Sequence, residues 1–462
     1  MNKITFTILS FFWITTTNYS QQTVLVGNTE LEVREVIGNL NVPWEIKWGP
    51  DSNDDQHFIW LTERAGVVSR INVETGEKHE ILDISSIVTT ESESGMLGME
   101  FHPNFEQNNL VFIVYTYYEG WSIKERLSAF TYNILNDALE NEQILIDAIT
   151  GNSTHNGSRI HALNDNTLLM TTGDAQNQSD SQNTYLLTGK TLRIDITEDN
   201  FGNIPLDNPI PDSYVWSWGH RNAQGIEVAP NGIIYSSEHG PQNDDELNIL
   251  EPNRNYGWPN VMGFCDGLSE QAFCEENNVV EPLVNWTPTI APSDIIWYDH
   301  PSIPEFQNTL LMTVLKDKML VRFEFNEDGS QVVNTTEFFN YQWGRLRDIC
   351  VSDDGKIYLA TNGSSWPSQP PNEIIELSNP NYTNTFIDES YFSNNIKIIK
   401  ANDYYKIQSP KCNFYVFDAF GRLIKQANNK QFLTLDFSEF TFGVYSIVLK
   451  NGGNLKTIKI VI

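Results

Sequence analysis

A pattern that recurs six times limits the fold of this chain more than any other feature. Each copy has a short apolar strand, a turn rich in Asn, Asp, Gly or Pro, a second apolar strand and then a third apolar segment. Antiparallel strands at this period are typical of a β-propeller, whose radial repetition leaves only short, protected edges. A β-sandwich would explain single strands but not the repeat, so we predict an all-β fold with a six-bladed β-propeller. The second strands begin at His57, Asn109, Asn166, Asn231, Asn308 and Gly355.

The turns of three hairpins predict which residues meet in space. The turns at Asn164, Pro230 and Asp353 close one end of their hairpins. The other end must then hold the start of each first strand and the end of each second strand. Residues able to carry chemistry occupy this open end, so we expect them on one rim. They are His155, Asp174, Arg221, Asn222, Gly240, Pro241, Lys316, Arg345, Arg347, Thr361 and Asn362.

Nine segments, taken in order along the chain, resemble the soluble glucose and aldose sugar dehydrogenases that depend on pyrroloquinoline quinone (PQQ). Each segment alone is a weak signal, whereas the ordered set, which spans Val42 to Leu377, is specific. The resemblance implies a propeller enzyme that oxidises aldose sugars at the anomeric carbon to lactones. Hydride would pass to PQQ and electrons to an external acceptor, a quinone or a cytochrome. The segments are ESGMLGMEFHPNF, THNGSRI, TTGDAQNQ, WSWGHRNAQGI, SSEHGPQNDDELN, NYGWPNVMG, TPTIAPS, TVLKDKML and WGRLRDI.

The same resemblance implies three catalytic residues. His155 would be the general base that takes the proton of the anomeric hydroxyl, a role that suits histidine because its pKa lies near the working pH. Asp174 would hold the imidazole in the right tautomer, and Arg221 would stabilise negative charge that develops on the reduced quinone. The alternative for His155, taken by itself, is a surface histidine before a strand.

PQQ carries three carboxylates, so its site needs cations. Arginine offers bidentate geometry to carboxylates and lysine a point charge. Without the resemblance, Arg345 could pair with surface acids and Arg347 with the neighbouring Asp348. With the resemblance, the predicted cofactor-binding residues are Asn222, Lys316, Arg345, Arg347, Trp286, Thr361 and Asn362.

The resemblance also implies calcium, which prefers oxygen ligands that include backbone carbonyls. The carbonyls of Gly240 and Pro241 would hold the ion that contacts PQQ. Glu246, the Tyr256 carbonyl and Asp266 match a second, structural calcium site of the glucose-oxidising members. The alternative for the acidic residues 244–246 is a solvated turn in an acidic protein.

Two positions depart from the best-known glucose oxidisers. Thr154 stands where they have Asp before the catalytic histidine, and Glu93 stands where they have Gln near the substrate. Many broad-specificity aldose relatives carry Glu at the second position. We therefore expect Glu93 to contact the substrate and specificity to be broader than glucose alone. The dimerising insertions of the glucose enzymes are not recognisable, which favours a monomer.

The two ends of the chain predict export. Residues 1–20 have a short positive region and then an apolar stretch too short to span a bilayer, as in a signal peptide cleaved near Ser20. We predict the propeller over 21–378, a polar linker over 379–395 and a small β-sandwich-like domain over 396–462. That last domain resembles the sorting domain of type IX secretion cargo, which implies a secreted or cell-surface protein; a carbohydrate-binding or adhesive module is the alternative.

Composition excludes some classes of partner. The formal net charge of the 462 residues is −31. This charge argues against nucleic acid and anionic membranes as partners, because a protein that binds either of them needs basic patches. No later stretch is long and apolar enough to predict a membrane helix. Cys265 and Cys274 flank one loop and could pair, whereas Cys350 lies in an apolar strand and reads as a buried thiol.

Two other functions remain open on the sequence. One is a binding propeller that has kept the scaffold and lost the cofactor, although such a protein would be expected to lose the His, Arg-Asn and Lys/Arg set. The other is a calcium-dependent lactonase, which has no need of cationic anchors. Lys316, Arg345 and Arg347 disfavour both.

Overall fold

The structure is a computed structural model. It describes residues 22–49, 58–382, 396–400, 404–418, 422–436, 440, 443–451 and 454–461. The predicted signal peptide and most of the predicted linker, residues 383–395, lie outside the described residues. The chain divides into two compact units, Met1–Pro380 and Asn381–Ile462, and each is described separately below.

The first unit consists mainly of short strands. Its helical segments are α1 (Phe105–Asn108), α2 (Leu268–Asn277) and one 3₁₀ turn (Gln178–Gln182). The strands are β1 (Gln22–Val26), β2 (Thr29–Leu40), β3 (Pro43–Trp48), β4 (Phe58–Glu63), β5 (Val67–Asn72), β6 (Lys78–Asp83), β7 (Met96–Phe101), β8 (Leu110–Glu119), β9 (Ser122–Asn133), β10 (Ala138–Thr150), β11 (Gly157–Ala162), β12 (Thr167–Thr172), β13 (Lys190–Asp195), β14 (Val215–Trp218), β15 (Ala223–Val228), β16 (Ile234–Glu238), β17 (Asp245–Leu250), β18 (Val284–Trp286), β19 (Pro292–Tyr298), β20 (Thr309–Val314), β21 (Met319–Phe325), β22 (Val332–Phe338), β23 (Leu346–Val351), β24 (Ile357–Thr361) and β25 (Asn372–Ser378).

These strands form six small antiparallel sheets among the described residues. Five sheets are four-strand meanders of consecutive strands: β3–β6, β7–β10, β11–β14, β15–β18 and β19–β22. The sixth joins β23, β24 and β25 to the N-terminal strand β2, with Glu35 paired to Ile375, and β1 adds an edge. The predicted second and third strands of every copy are present. The N-terminal strand that completes the last sheet was not predicted.

The first strands of the six sheets contact one another in a closed ring, in the order β3, β7, β11, β15, β19, β23 and back to β3. At the centre of the ring Arg159 on β11 forms ion pairs with Glu45 on β3, with Asp294 on β19 at 3.4 Å and with Asp348 on β23 at 3.1 Å. Arg159 also donates from Nε to the carbonyl of Gln224 on β15, at 2.8 Å. One buried guanidinium therefore links four other first-strand positions to its own strand.

Apolar side chains fill the spaces between neighbouring sheets. Between the second and third sheets, for example, Phe112 and Leu127 pack with Leu168, Leu192 and Val215, all of them buried. This follows from the strand patterns, because second strands such as β12 are buried on both faces and carry consecutive apolar residues, here Leu168, Leu169 and Met170.

A buried carboxyl on β9 makes the stability of the first unit depend on pH. Burial raises the pKa of Glu125 from 4.5 to about 8, although its carboxyl accepts a hydrogen bond from Ser158 at 2.5 Å. Because the folded-state pKa lies above the unfolded one, the folded state binds this proton more tightly. The contribution of Glu125 to stability is therefore complete below pH 4.5 and is lost as the pH rises through about 8.

The parent protein should lose unfolding free energy as the pH rises from 5 to 8. In Glu125→Gln we expect this loss to be smaller by at least about 1 kcal/mol. Glutamine keeps the acceptor for Ser158 and removes the titration. Urea unfolding of both proteins at the two pH values measures the effect, with the exposed Glu106→Gln as the control. Identical pH dependence of Glu125→Gln and the parent would contradict this assignment.

The sequence left the pairing of the two loop cysteines open, and the structure contains this pair. Cys265 and Cys274 form a disulfide, which ties α2, where Cys274 lies, to the segment just before it. Cys350 is a buried free thiol, as predicted, and Cys412 in the second unit is a buried free thiol as well. Within the described part of the chain, no helix has the length and apolar character needed to cross a membrane.

The second unit is a small β domain. Its strands are β26 (Lys397–Lys400), β27 (Tyr404–Phe417), β28 (Leu423–Asp436), β29 (Val444–Asn451) and β30 (Asn454–Val461). Pairing joins these five strands into one antiparallel sheet, in which the long strand β27 contacts β26, β28 and β29. The core contains Ile407, Phe414, Ile447 and Leu449. The predicted sandwich-like arrangement stays a prediction.

Candidate active site

A cavity of about 310 Å³ opens at the end of the first unit where first strands begin and second strands end. Four cationic side chains line it, those of Arg64, Lys316, Arg345 and Arg347, against the single carboxylate of Glu93. This balance favours an anionic ligand. Of the predicted residues the cavity brings together Glu93, Asn222, Lys316, Arg345, Arg347 and Asn362, and its other lining residues include Trp44, Leu97, Asn156, Gly157, Gln224, His239, Leu315, Trp366 and Ser368.

The two arginines at the start of β23 are desolvated. Arg347 is 6% exposed; its Nη1 donates to Gln224 Oε1 at 2.9 Å and its guanidinium lies 4.0 Å from the centre of the Trp44 ring. Burial lowers the pKa of Arg347 to about 9, helped by the nearby Arg159, and burial also lowers the pKa of Arg345. A desolvated cation is stabilised more strongly by a nearby anion than an exposed cation is, because water screens the exposed charge.

Four buried polar atoms in this lining have no hydrogen-bond partner among the described residues. They are Arg64 Nε, Arg345 Nε, Arg347 Nη2 and Asn362 Oδ1. Buried polar groups are nearly always paired, because an unpaired one costs about 1–3 kcal/mol. Three unpaired arginine donors and one amide acceptor are therefore positions at which a polar, anionic ligand would be held.

His155, Asp174 and Arg221 meet next to this cavity, whose lining includes their chain neighbours Asn156 and Asn222 but none of the three. His155 precedes β11, Asp174 follows β12 and Arg221 precedes β15. The Nδ1 atom of His155 lies 2.8 Å from Asp174 Oδ1, and its Nε2 lies 3.1 Å from Arg221 Nη2. The backbone N–H of Asp174 donates to the carbonyl of Arg221 at 2.8 Å. The expected convergence of these three residues is thus present in the structure.

The backbone around His155 is held in an uncommon conformation. His155 itself has φ of 58° and its N–H donates to Glu93 Oε2 at 3.0 Å. A Cβ at Gly173 would lie only 1.9 Å from the His155 carbonyl oxygen, so only glycine is tolerated at that position. A non-glycine residue at positive φ costs energy and persists where its surroundings fix it.

The hydrogen bonds define the chemical state of the imidazole. Asp174 is fully buried, and its second oxygen accepts from Trp258 Nε1 at 3.0 Å. An ionised carboxylate beside Nδ1 favours a proton on that nitrogen, which leaves the lone pair on Nε2. The His155 side chain is 13% exposed, and Nε2 has Arg221 Nη2 at 3.1 Å and Gln176 Nε2 at 3.3 Å. The arrangement can therefore accept a proton at Nε2.

The residues predicted to hold calcium are only partly brought together. Gly240 and Pro241 line a small cavity of about 10 Å³ with Glu238, Asp244, Glu246 and Tyr256. Burial raises the pKa of Glu246 to about 8, and its two oxygens accept from the Gly263 N–H and the Asn248 amide. Asp266 is exposed and is not among these lining residues. Across the described ranges, no group of three or more His, Cys, Asp or Glu side chains is arranged to hold a metal ion.

The protein-family model for Glucose / Sorbosone dehydrogenase matches residues 40–366. The chain belongs to this dehydrogenase family. The match covers every site residue predicted for the first unit and all of the cavity lining except Ser368. The model for a secretion system C-terminal sorting domain matches residues 392–462 of the same chain, which indicates export of this family member through the type IX secretion system to the cell surface or the medium.

Known members of the family resemble the chain at modest identity. Quinoprotein glucose dehydrogenase B of Acinetobacter calcoaceticus is 27% identical over 413 residues, which cover 71% of this chain and 84% of the relative. Aldose sugar dehydrogenase YliI of Escherichia coli is 27% identical over 354 residues, covering 72% and 91%. The PQQ-bound structure of aldose sugar dehydrogenase from Streptomyces coelicolor matches with a TM-score of 0.64 and 26% identity, over 75% of this chain and 97% of that one.

Two predicted cofactor contacts of this dehydrogenase-family chain lie outside the cavity lining. Trp286 ends β18, pairs with Asp245 and packs its ring on Phe323 with centroids 6.0 Å apart. Thr361 accepts a hydrogen bond from the Glu373 N–H at 2.9 Å and faces a neighbouring surface cavity.

Several lining residues were missed by sequence reasoning. Trp44 on β3 and Arg64 just after β4 belong to the first sheet, which lies outside the nine matching segments. Gln224 and His239 were within reach, since each lies two positions or fewer from a predicted residue. His239 donates from Nε2 to the Pro292 carbonyl at 2.7 Å, and burial lowers its pKa to about 3, so it is neutral at physiological pH.

Proposed function

We propose that this chain is an exported dehydrogenase that oxidises aldose sugars at the anomeric carbon to lactones, with PQQ as the hydride acceptor and an external electron acceptor. The observation that carries the proposal is the meeting of His155, Asp174 and Arg221 beside a cavity with four cations and unpaired arginine donors. Family membership supports an oxidoreductase. The fold alone would not assign the reaction.

The residues present suit PQQ, which is a tricarboxylate. Its carboxylates would be held by Lys316, Arg345 and Arg347, and polar atoms of Asn222 and Asn362 would complete the contacts. When bound, PQQ supplies a quinone that accepts two electrons and a proton as hydride from carbon. Lys316 is exposed and its Nζ donates to the Thr289 carbonyl at 2.5 Å and hydroxyl at 3.0 Å, so it would have to exchange these partners for the ligand.

The protein side of the reaction is proton removal and charge stabilisation. His155 would take the hydroxyl proton on Nε2 while the C–H electron pair leaves the anomeric carbon. Asp174 keeps Nδ1 protonated and stabilises the imidazolium that forms. Arg221, 3.1 Å from Nε2, would offset negative charge on the acceptor side. Burial lowers the pKa of Arg221, opposed by the charges of Asp174 and Glu238.

We also propose calcium beside this site. No described residue donates a hydrogen bond to the Gly240 or Pro241 carbonyl, so both oxygens are open to a hard cation. Bound there, calcium would act as a Lewis acid toward a quinone oxygen. A second ion at Glu246, the Tyr256 carbonyl and Asp266 is a weaker assignment, because Asp266 does not line the same cavity.

Glu93 is proposed to recognise the sugar. It lines the cavity and binds the His155 backbone, so its free oxygen could accept a sugar hydroxyl. Together with Thr154 in place of aspartate, it favours a broad aldose specificity.

The architecture is proposed to be a six-bladed propeller over 21–378, with the six sheets as blades. A signal peptide over 1–20, a linker over 379–395 and a sandwich-like sorting domain over 396–462 complete it. Export would then proceed through the periplasm and across the outer membrane, and the propeller would act as a monomer.

The proposal is tested by reduction of an artificial dye with purified apoprotein and a panel of aldoses, with PQQ and calcium added separately and together. We expect turnover only when both are present, and the product to be the lactone. Tryptophan fluorescence would report PQQ binding independently. If the apoprotein neither turns over sugar nor binds PQQ, the dehydrogenase proposal is wrong and a binding propeller is the better account.

A further inference from the structure

A buried serine, histidine and glutamate lie directly behind Arg221. Ser217 Oγ is 2.8 Å from His220 Nε2, and His220 Nδ1 is 2.9 Å from Glu238 Oε2. Ser217 and His220 are fully buried and Glu238 is 4% exposed. The three residues have the connectivity of a nucleophilic triad, but no substrate can reach a serine that is fully buried. The three residues must therefore act by fixing the groups to which they are hydrogen-bonded.

The other oxygen of Glu238 binds the backbone that carries the catalytic arginine. Glu238 Oε1 accepts the N–H of Arg221 and, at 3.2 Å, the N–H of Asn222. His220, whose ring stacks on Tyr256 with centroids 4.5 Å apart, fixes the carboxylate from its opposite side. One carboxylate therefore clamps two successive peptide groups at the start of β15.

Both clamped residues act on the segment that contains His155. Arg221 donates from Nη1 to the His239 carbonyl at 3.0 Å and places Nη2 at 3.1 Å from His155 Nε2. Asn222 Oδ1 accepts the Gly157 N–H at 3.1 Å, two residues after His155. A shift of the clamped peptides would move the guanidinium away from the reacting nitrogen and loosen the start of β11.

We propose that Glu238, held by His220, is the positioning carboxylate of this site. It fixes the backbone of Arg221 and Asn222 and supplies a negative charge that keeps the buried Arg221 cation next to His155. This inference rests on the proposed function for its kinetic consequences. Its structural part, the clamp on two peptide groups, stands independently of any turnover.

The kinetic test is Glu238→Gln, which keeps an oxygen acceptor for both N–H groups and removes the charge. The backbone stays clamped in this variant, but the charge that holds the Arg221 guanidinium beside His155 is lost. We expect kcat to fall about 10- to 100-fold, because a small displacement of that guanidinium costs this much, with the sugar KM and the PQQ affinity of the apoprotein changed less than about threefold. The acid limb of kcat against pH should move to lower pH, since the positive charge beside His155 is no longer offset.

The matched control is Glu376→Gln, another buried glutamate, which binds Arg34 and Tyr358 in the sixth sheet. It should lower the thermal midpoint without lowering kcat. A Glu238→Gln protein with the parent kcat and pH profile would overturn the positioning role. So would a loss of kcat matched by Glu376→Gln, because that result would reflect stability alone.

The clamp itself is tested without turnover by hydrogen exchange of the apoprotein. We expect the amides of Arg221 and Asn222 to be protected in the parent and in Glu238→Gln, and to exchange at least about tenfold faster in Glu238→Ala, where no acceptor remains. Equal protection in Glu238→Ala would refute the clamp. If the parent protein bound PQQ and protected these amides but oxidised no sugar, the proposed function would fail while the clamp survived.

Discussion

Replacing His155 by alanine is expected to lower sugar turnover by about 10²- to 10⁴-fold, the range that one general base contributes. The imidazole is the proposed base, and its two nitrogens contact Asp174 Oδ1 at 2.8 Å and Arg221 Nη2 at 3.1 Å. Alanine leaves the arginines of the cavity in place, so the apoprotein should still bind PQQ with little change in affinity.

The measurement is kcat with an artificial dye, alongside a PQQ titration followed by tryptophan fluorescence. Asp174→Asn should also lower kcat, because an amide oxygen holds the Nδ1–H tautomer less firmly and does not stabilise the imidazolium. His79→Ala is the control, since its side chain is 59% exposed. Turnover unchanged in His155→Ala would refute the assigned base, and lost PQQ binding would show that the substitution acted on the cofactor site instead.

Replacing Arg159 by methionine is expected to lower the free energy of unfolding by about 3–5 kcal/mol, the cost of removing one partner of a buried ion pair. The guanidinium is 1% exposed and faces the carboxylates of Glu45, Asp294 and Asp348. Burial alone would lower the pKa of Arg159, but these carboxylates raise it. Without the cation, Asp294 and Asp348 would lose their ion-pair partner, and Glu45 would keep only Lys47 at 3.5 Å.

Equilibrium urea unfolding of the first unit within the full chain measures this loss. Arg193→Met is the control, because its partners Asp165 and Asp207 are solvent-exposed and such pairs contribute only about 0–1 kcal/mol. The double variant Arg159→Met with Glu45→Gln should recover part of the loss, since one of the uncompensated charges is gone. A loss below about 1 kcal/mol in Arg159→Met would show that the ring does not depend on this ion cluster.

The strands that the sequence predicted are those with two buried faces. The second and third strands of each copy lie inside their sheets, so burial imposes a continuous or alternating apolar pattern that is legible in the residues. The fourth strands carry a much weaker pattern. In β6, for example, only Leu82 and Ile81 are apolar near its centre among charged neighbours, and a single position is buried. Exposure of an edge strand removes the constraint that would make it recognisable.

The pairing that completes the last sheet could not be predicted from the sequence, for a different reason. Strand β2 pairs with β25 across more than 300 positions, with Glu35 opposite Ile375. Nothing local to either strand specifies that partner. The pairing exists because the ring of first strands brings the N-terminus beside the final copy.

The sequence by itself determined the repeated strands, the family, and the rim on which His155, Asp174 and Arg221 meet, because hairpin connectivity forces strand starts and ends to one side. Only the tertiary structure decided what surrounds them: the clamp of Glu238 on the Arg221 peptide, Trp44 over Arg347, and the ion cluster of Arg159. These contacts join different sheets, or the two strands of one hairpin at its open end. Burial and closure of the ring select them, and neither leaves a local pattern in the chain.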